Sequence, residues 1–350
     1  MSLIRACCAR DYLACGNTPV ELSIGLEVHV QFSSSYKLFS ARSEVLAPLD
    51  VGLPGSLPVV NFGDVLGLDV LASLLNSRVS PWLLFTRKGY FCADLAAGYQ
   101  ITQYHNPLLG YGSLELFVFG ISGGCRAVCA HIQNVNLEHD TGSVNFLGNC
   151  EVVNFARAGL GLFEFVSLPC FNSVLLAKLY LLKLKLVLMS LNMSSCVMAN
   201  AELRYDFNIS FSEPLSSCSA KIEIKNLNSL SGLSNVVLSE ACLLHRDSRA
   251  CTKAVEPKTF ATLFLRKKES ASEYKRLLEA DIPLARVATK ACNAKQHVLA
   301  ARACLCWLFS CGRLSFFCFQ NSERFCCQAY VFSQFGFSFL SLVLKRALVV

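Results

Sequence analysis

The sequence predicts an α+β fold in which a mixed-sheet body precedes a helical C-terminal region. Apolar and polar residues alternate along several short segments, as expected for half-buried strands. One longer apolar run, residues 173–193, has the length of a helix. Beyond about residue 257 the chain becomes helix-compatible, with few turn residues. We therefore expect an N-terminal extension over residues 1–20, a body over residues 21–284 and a helical region over residues 285–350.

The first half of the body begins with a strand. Apolar residues occupy every second position of residues 21–31, so Glu27, His29 and Gln31 share the opposite face. Glycines and prolines give residues 48–58 the chemistry of turns. Downstream, residues 65–75 have helical character. Strands are predicted for residues 79–91, 113–119 and 125–137, the last two joined by a turn at Gly123 and Gly124.

The second half of the body continues this mixture of strands and helices. Residues 150–167 are rich in strand-forming types, and residues 173–193 follow as the long helix. Two further strands are predicted, over residues 203–211 and 221–224. The helix-compatible stretches come last, over residues 269–280 and 288–309, and no internal repeat is evident.

The composition raises the question of a membrane protein, because 53% of the residues are hydrophobic and the mean hydropathy is +0.43. Three lysines interrupt the most apolar run, residues 174–191, so a buried helix is favoured and we expect no contact with a membrane. The 19 cysteines are expected to be reduced and to pack as small apolar residues. Cys125, Cys129 and His131 resemble half a zinc site, but no second pair follows at standard spacing.

The charge is unevenly distributed along the chain. Residues 257–350 carry 14 Lys and Arg against 5 Asp and Glu, whereas the whole chain has a formal charge of +7, so the preceding residues sum to about −2. A weakly acidic body with a basic C-terminal third suits an enzyme joined to a segment that faces nucleic acid. A solvated helical surface would have the same charge, and the charge alone does not separate the two.

Five clusters of polar residues are candidates for a functional site. Glu27 and His29 on one strand face can hold a divalent cation or act as an acid–base pair. A second cluster begins with the basic turn Arg87-Lys88 and suits phosphate oxygens, with tyrosines that can stack on a base. For each cluster a solvated surface is the alternative, and only their density argues for a site. The second cluster also includes Tyr90, Gln100, Gln103 and Tyr104. The other three clusters are residues 136–142; Arg157, Glu164, Arg204, Asp206 and Asn208; and Glu223, Lys225, Asn226 and Asn228.

Taken in order, these segments resemble the motifs of one protein family. They read IGLEVHVQ (24–31), KLF (37–39), GLPGSLPV (52–59), RKGYF (87–91), GYQITQY (98–104), LEHDTG (137–142), LRYDFNIS (203–210) and IEIKNLNS (222–229). The order and number of these motifs resemble the family of B subunits of aspartyl/glutamyl-tRNA(Asn/Gln) amidotransferases, over about residues 21–284. The resemblance implies a cradle-like mixed-sheet catalytic body.

The resemblance also implies a ligase that forms a carbon–nitrogen bond. Members of this family use ATP to activate the side-chain carboxyl of glutamate or aspartate on a misacylated tRNA, and ammonia then gives Gln-tRNA(Gln) or Asn-tRNA(Asn). The implied cofactors are ATP and Mg²⁺. The implied partners are the amidase (A) subunit, which supplies the ammonia, the small (C) subunit and the misacylated tRNA. The compartment would be a bacterial cytoplasm or, alternatively, a mitochondrion or another organelle.

Residue roles follow from the resemblance at the matching positions. It implies a metal site built from Glu27, His29 and Glu138, with His139 beside them, and it adds Lys88 to the first three as catalytic residues. ATP or the acceptor end of tRNA would be bound by Arg87, Tyr90, Gln100, Tyr104, Arg204, Lys225 and Asn226.

The sequence departs from the family in several places. Residues 40–51 lack the cysteine pairs of the family's zinc knuckle, so no zinc is expected. The family's paired glutamates are here Glu138 and His139, and residues 154–161 lose an aspartate, an asparagine and a proline. The C-terminal region is short, and the tail domain that helps to hold tRNA is expected to be missing. These departures support an alternative, a non-catalytic scaffold or tRNA-binding component of the same complex.

Overall fold

The computed structural model of the chain describes residues 12–15, 18–61, 68–119, 125–148, 150–212, 221–227, 230, 232–243, 251–256, 260–267 and 275–287. The described strands are β1 (Tyr12–Cys15), β2 (Thr18–Gln31), β3 (Trp82–Leu83), β4 (Thr86–Gly89), β5 (Tyr99–Thr102), β6 (Gly112–Phe119), β7 (Cys125–His139), β8 (Ser143–Leu147), β9 (Cys150–Asn154), β10 (Gly161–Ser167), β11 (Leu203–Ser212), β12 (Ile222–Leu227), β13 (Cys251–Val255), β14 (Thr262–Lys267), β15 (Lys275–Leu278) and β16 (Ala285–Arg286). The described helices are α1 (Leu68–Leu74), α2 (Val174–Ser190) and α3 (Gly232–Leu243), with short 3₁₀ turns at Pro48–Val51 and Met198–Asn200.

Nine of the described strands form one mixed sheet in the order β14-β13-β12-β11-β2-β10-β7-β6, with β1 paired to β2. Within it, β12 and β13 run parallel and the other described pairs are antiparallel. The strand predicted from residue 21 is confirmed as β2, which lies between β10 and β11. Its apolar residues are buried, and Glu27, His29 and Gln31 are only partly covered, as period-two alternation requires. β2 is therefore the strand that carries the polar face into the middle of the sheet.

The long predicted helix is confirmed as α2. Ser173 is its N-cap, because the Ser173 hydroxyl accepts a hydrogen bond from the Leu176 amide at 3.2 Å. Phe171, at the end of the preceding loop, packs on Tyr180 with ring centroids 5.1 Å apart. The buried positions of α2 recur at three- and four-residue intervals, so one side of the helix packs into the core of the sheet; they are Ala177, Tyr180, Leu181, Leu184, Val187 and Leu188.

The lysines of α2 explain how a helix with so apolar a sequence packs beside a sheet. Lys178 donates a hydrogen bond to the hydroxyl of Ser234 on α3 at 2.7 Å, and Lys183 donates to the Glu115 carbonyl. Their aliphatic stems cover apolar surface while the ammonium groups reach polar partners at the margin. Among the described helices, none has both the length and the apolar character that a membrane crossing requires.

The helix predicted for residues 269–280 is wrong where the structure describes it. Residues 275–278 form β15, an edge strand that pairs with β4 in a small sheet of order β15-β4-β5. Leu277 and Leu278 remain exposed, so backbone pairing with β4 and the ion pairs of the following residues override local helix propensity. β13, β14 and α3 had no counterpart in the sequence analysis. The helical region was predicted to begin at residue 285, but Ala285 and Arg286 form the short strand β16. The rest of that region, residues 288–350, and the turn at Gly123 and Gly124 lie outside the described residues.

A buried ion pair fixes the loop that follows β2. The Lys37 ammonium lies 2.7 Å from the Asp50 carboxylate, and the two side chains are 2% and 1% exposed. Asp50 also accepts hydrogen bonds from the Ser40 hydroxyl and the Ala47 amide. Gly159 has a φ of +82°, and a Cβ there would collide with the Asp50 carboxylate. The loop is thereby held against the turn that precedes β10.

Candidate functional site

One face of the central strands is polar, opposite the face that packs against the core. Strand pairing puts Glu164 of β10 and Arg204 of β11 on either side of His29, and Asn136 of β7 next to Glu164. Partners directly opposite in adjacent strands point to the same side of a sheet. The polar clusters that are far apart in the sequence therefore meet on one surface.

His29, Glu138 and Glu164 form the core of this surface. The His29 Nε2 atom lies 3.7 Å from a Glu138 oxygen and 3.8 Å from a Glu164 oxygen. One potential ligand atom from each residue lies within 4.8 Å of the other two, and no other described group of at least three such residues does this. Glu138 is 3% exposed, and Asn136 donates a 2.8 Å hydrogen bond to Glu164. Two carboxylates and an imidazole at this spacing can hold a divalent cation.

Glu164 was not assigned to the metal by the sequence analysis, although it had been noted beside Arg157. Only the pairing of strands shows that Glu164 is a potential ligand, because Glu164 lies opposite His29 in the β10–β2 pair. Sequence distance between the two residues gives no indication of this contact. The structure brings Glu164 into the cluster where His139 had been expected.

His139 is the one predicted metal ligand that the structure turns away from the cluster to the other face of its strand. It follows Glu138 in β7, and successive side chains of a strand point to opposite faces. Its Nδ1 atom accepts the Ile101 amide at 3.0 Å, and its ring lies edge-on to Phe39. Burial lowers the pKa of His139 to about 4, although Asp50 and Glu279 act in the other direction. A neutral imidazole engaged by a backbone amide is a packing residue in this fold.

This environment predicts a pH dependence of stability. An unfolded histidine is protonated below pH 6.5, whereas the folded imidazole resists protonation until about pH 4. The stability contributed by His139 is therefore complete above pH 6.5, falls as the pH drops from 6.5 towards the folded-state pKa of about 4, and is lost below it. We expect wild type to lose about 2 kcal/mol more unfolding free energy between pH 6.5 and 4 than His139→Gln, in which an amide oxygen can still accept the Ile101 amide. The unfolding free energies are measured by urea titration at several pH values. If they fall equally in the two proteins between pH 6.5 and 4, the prediction is contradicted.

Gln100 orients Glu138 from the small sheet. Its Nε2 donates to a Glu138 oxygen at 2.7 Å and to the His139 carbonyl at 2.8 Å, and the Tyr90 hydroxyl lies 3.2 Å from its Oε1. Lys88 stands directly opposite Gln100 in the β4–β5 pair and so points to the same side. Gln100 thus lies behind the Glu138 carboxylate and fixes its direction, and Tyr90 in turn holds Gln100. Binding of a cofactor by Gln100 and Tyr90 stays a prediction.

We expect Gln100→Leu to weaken divalent-cation binding by about 10- to 100-fold, because partners that orient a metal ligand typically matter by this factor. Titration with Mn²⁺, followed by its electron paramagnetic resonance signal, would measure the change. Gln133→Leu, at an exposed position of β7, is the matched control and should bind as wild type does. Equal affinity of the Gln100 variant would show that Glu138 needs no orienting partner.

Glu27 lies beside the cluster in a second polar group. The Asn208 amide donates to Glu27 at 3.1 Å, and Lys225 lies 3.8 Å from Asp206 and 3.5 Å from Glu223. Burial raises the pKa of Asp206, and Lys225 and His29 partly offset this effect. Glu27 is therefore not one of the three clustered ligands, but it borders them. Asn226 belongs to β12, and its side chain lies outside the described part of the chain.

Arg87 and Tyr104 have partners of their own in the small sheet. Arg87 forms two hydrogen bonds to Glu279, at 2.6 and 2.7 Å, and one to Asp281 at 2.5 Å, and these contacts raise its pKa. The Arg276 guanidinium lies 3.7 Å from the centre of the Tyr104 ring. These contacts tie residues 276–281 to β4 and β5. Nucleotide binding by Arg87 and Tyr104 stays a prediction.

Asp140 holds two arginines at the end of β7. Arg204 forms two hydrogen bonds to its carboxylate, at 3.1 and 2.8 Å, and the Arg157 Nε lies 3.9 Å from it. Arg157 also donates to the carbonyls of Thr141 and Gly142. Burial lowers the pKa of Arg157, with Asp140 opposing and Arg204 reinforcing the shift. Asp140 is 2% exposed, so its charge is directed to these guanidinium groups and not to solvent.

Comparison with known proteins matches residues 22–293 to the family described as the GatB/GatE catalytic domain. The chain is 35% identical over 283 residues to the B subunit of aspartyl/glutamyl-tRNA(Asn/Gln) amidotransferase from Anaplasma marginale (strain Florida), covering 76% of this chain and 57% of that protein. It is 32% identical over 279 residues to the protein of the same name from Mycoplasma pneumoniae, covering 75% of this chain and 57% of that protein. The mitochondrial B subunit of glutamyl-tRNA(Gln) amidotransferase from Schizosaccharomyces japonicus is 37% identical over 281 residues, covering 75% of this chain and 55% of that protein. The chain thus spans a little over half the length of these relatives.

Proposed function

Because the chain belongs to the family of the GatB/GatE catalytic domain, we propose that it acts as the B subunit of a tRNA-dependent amidotransferase. It would activate the side-chain carboxyl of glutamate or aspartate on a misacylated tRNA with ATP and transfer ammonia to it. The observation that carries this proposal is the cluster of His29, Glu138 and Glu164 on the polar face. Arg204 lies opposite His29 in the β11–β2 pair, and Lys225 lies near Asp206 on the same sheet.

The described residues fit a divalent cation such as Mg²⁺. His29, Glu138 and Glu164 would hold it, and their two carboxylates supply the hard oxygen ligands that Mg²⁺ prefers. Two more buried oxygens on this face, the Oδ1 atoms of Asn136 and Asn208, have no hydrogen-bond partner among the described residues and suit a bound ion, water or substrate. When bound, the ion would neutralise charge on the phosphates of ATP.

The chain's own residues account for the remaining requirements of the reaction. Lys88 and Lys225 would bind phosphate oxygens as point charges near the carboxylates. The substrate carboxylate would attack the γ-phosphorus of ATP, ADP would leave, and ammonia would then displace phosphate from the acyl carbon. Glu27 borders the ligand cluster without belonging to it. It would accept the proton that the attacking nitrogen loses.

The alternative is a scaffold that holds the complex and tRNA without catalysis. Its main support was the replacement of a carboxylate by His139. That support weakens because His139 is turned towards Ile101 and Phe39, while Glu164 completes the three-residue cluster. The active enzyme is therefore the interpretation that we favour.

We further propose the same partners as the resemblance implies: an amidase partner, a small third component and misacylated tRNA, in a bacterial cytoplasm or an organelle. The test is to purify the chain with its amidase partner and supply ATP, Mg²⁺, glutamine and Glu-tRNA or Asp-tRNA. Formation of Gln-tRNA or Asn-tRNA together with ADP would support the proposal. Binding of tRNA without ADP or amide formation would favour the scaffold, and a reaction without ATP would contradict the kinase step.

A further inference from the structure

We propose that Arg157 and Arg204, held by Asp140, form an anion site for the phosphoryl group that passes from ATP to the substrate carboxyl. This site, called here the arginine corner, rests on the proposed function and gives it a specific phosphate-binding element. It assigns a contact with the transferred phosphoryl group to Arg157, which the sequence analysis named only as a member of a polar cluster.

The charge balance of the arginine corner favours an anion. Arg204 forms two hydrogen bonds to the Asp140 carboxylate, whereas Arg157 lies 3.9 Å from it, beyond hydrogen-bond distance. Two cations thus share one buried carboxylate. Asp94 is the next acidic neighbour, and it accepts a hydrogen bond from the Thr141 hydroxyl at 3.0 Å. The Arg157 guanidinium is therefore the less neutralised of the two cations.

Hydrogen-bond donors remain available on both side chains. A guanidinium has five N–H donors. Arg157 uses its Nε and one terminal nitrogen for the carbonyls of Thr141 and Gly142, which leaves its other terminal nitrogen uncommitted among the described residues. Arg204 directs both terminal nitrogens to Asp140 and the Ala201 carbonyl, which leaves its Nε. The side chains are 28% and 29% exposed, so these donors can reach a ligand on the polar face.

The arginine corner adjoins the carboxylate cluster. Arg204 lies opposite His29 in the β11–β2 pair, and Asp140 follows Glu138 by two residues along the chain. The Asp140 amide bonds to the Leu160 carbonyl, which continues the pairing of β7 with β10 beyond the end of the strand. An anion bound by the two arginines would therefore lie next to groups that suit a cation. Such a pairing is what a phosphate transferred near a divalent ion requires.

The step itself balances without a further reactant. The bond between the γ-phosphorus and the β–γ bridging oxygen breaks, a bond to the substrate carboxylate oxygen forms, and ADP leaves with the electron pair. Ammonia then attacks the acyl carbon, phosphate leaves with the bridging oxygen, and one proton passes from nitrogen to a base. In both steps charge accumulates on the phosphoryl oxygens, where the planar donors of arginine bind best.

A purely structural role is the competing explanation, because Arg157 also clamps the carbonyls at the base of the β8–β9 hairpin. Phosphate binding separates the two roles. We would measure the binding of inorganic phosphate to the full chain by isothermal titration calorimetry in EDTA, so that no metal contributes. The variants are Arg157→Gln, Arg204→Lys, and Arg126→Gln as the control at an exposed arginine of β7.

We expect Arg157→Gln to weaken phosphate binding at least tenfold and Arg204→Lys to weaken it several-fold, while Arg126→Gln binds as wild type. Arg204→Lys keeps the charge and serves if Arg157→Gln does not fold. Unchanged phosphate affinity in a folded Arg157→Gln, or no phosphate binding by wild type, would overturn the proposal. The amidation assay is evaluated separately: its failure in wild type contradicts the proposed function, whereas a loss of phosphate binding confined to the two arginine variants still supports an anion site.

Discussion

We expect Glu138→Gln to lower kcat of ATP-dependent amidation by at least about 1,000-fold, which corresponds to about 4 kcal/mol of transition-state stabilisation. Glu138 is the least exposed member of the carboxylate cluster, and it lies at the junction of His29 and Gln100. The substitution keeps the size of the side chain and removes its charge. A neutral amide binds a divalent cation weakly and so removes much of the charge stabilisation during phosphoryl transfer.

The measurement is single-turnover formation of Gln-tRNA or Asn-tRNA by the complete complex, with Mn²⁺ binding recorded alongside. Glu115→Gln, at an exposed glutamate of β6, is the matched control and should keep wild-type activity. Loss of both activity and Mn²⁺ binding in Glu138→Gln would place the defect at the proposed metal site. Full activity of that variant would refute a metal role for the cluster.

The largest effect on stability is expected at the Lys37–Asp50 ion pair. Removing one partner of a buried pair leaves an uncompensated charge and costs about 3–5 kcal/mol. Lys37→Met leaves the Asp50 carboxylate with the Ser40 hydroxyl and Ala47 amide as its remaining polar partners in the described part of the chain. Asp50→Asn leaves the Lys37 ammonium buried without its counter-ion. Each single variant should lose this free energy of unfolding in urea titrations.

The double variant gives the sharper test, because it removes both charges. We expect Lys37→Met with Asp50→Asn to lose clearly less than the sum of the two single losses. The control is the Arg42–Glu44 pair of the same loop, whose side chains are 64% and 62% exposed. Its removal should cost less than about 1 kcal/mol. Additive losses at Lys37 and Asp50 would mean that the two charges are not coupled.

Local periodicity explains why much of the main sheet could be predicted. The alternation in β2, β6, β7 and β11 reflects one buried and one polar face, and this pattern is written in neighbouring residues. The helix α2 could also be predicted from neighbouring residues, because its length and apolar character are properties of one continuous segment. The wrong helix at residues 275–278 had a different cause. Its pairing partner, β4, lies almost 190 residues earlier in the chain, and no local pattern records that contact.

Some parts of the candidate site could likewise be predicted from the sequence, and others depend on contacts between distant segments. Motif positions identified His29 and Glu138, and the resemblance supplied their proposed roles. Glu164 belongs to the cluster instead of His139. Its position depends on the pairing of β10 with β2, whereas His139 lies on the opposite face of β7 from Glu138. Gln100 likewise became a partner of Glu138 only when the small sheet came to lie beside the end of β7.

The sequence by itself determined the family, the polar strand face of β2 and the residue types available for binding a cation and phosphate. These depend on residue identity and on the two-residue period of a strand, both of which are local. Only the tertiary structure decided which carboxylates converge, which imidazole is held neutral beside Phe39, and which arginines share Asp140. Those outcomes depend on strand register and on desolvation, which arise when distant segments pack together.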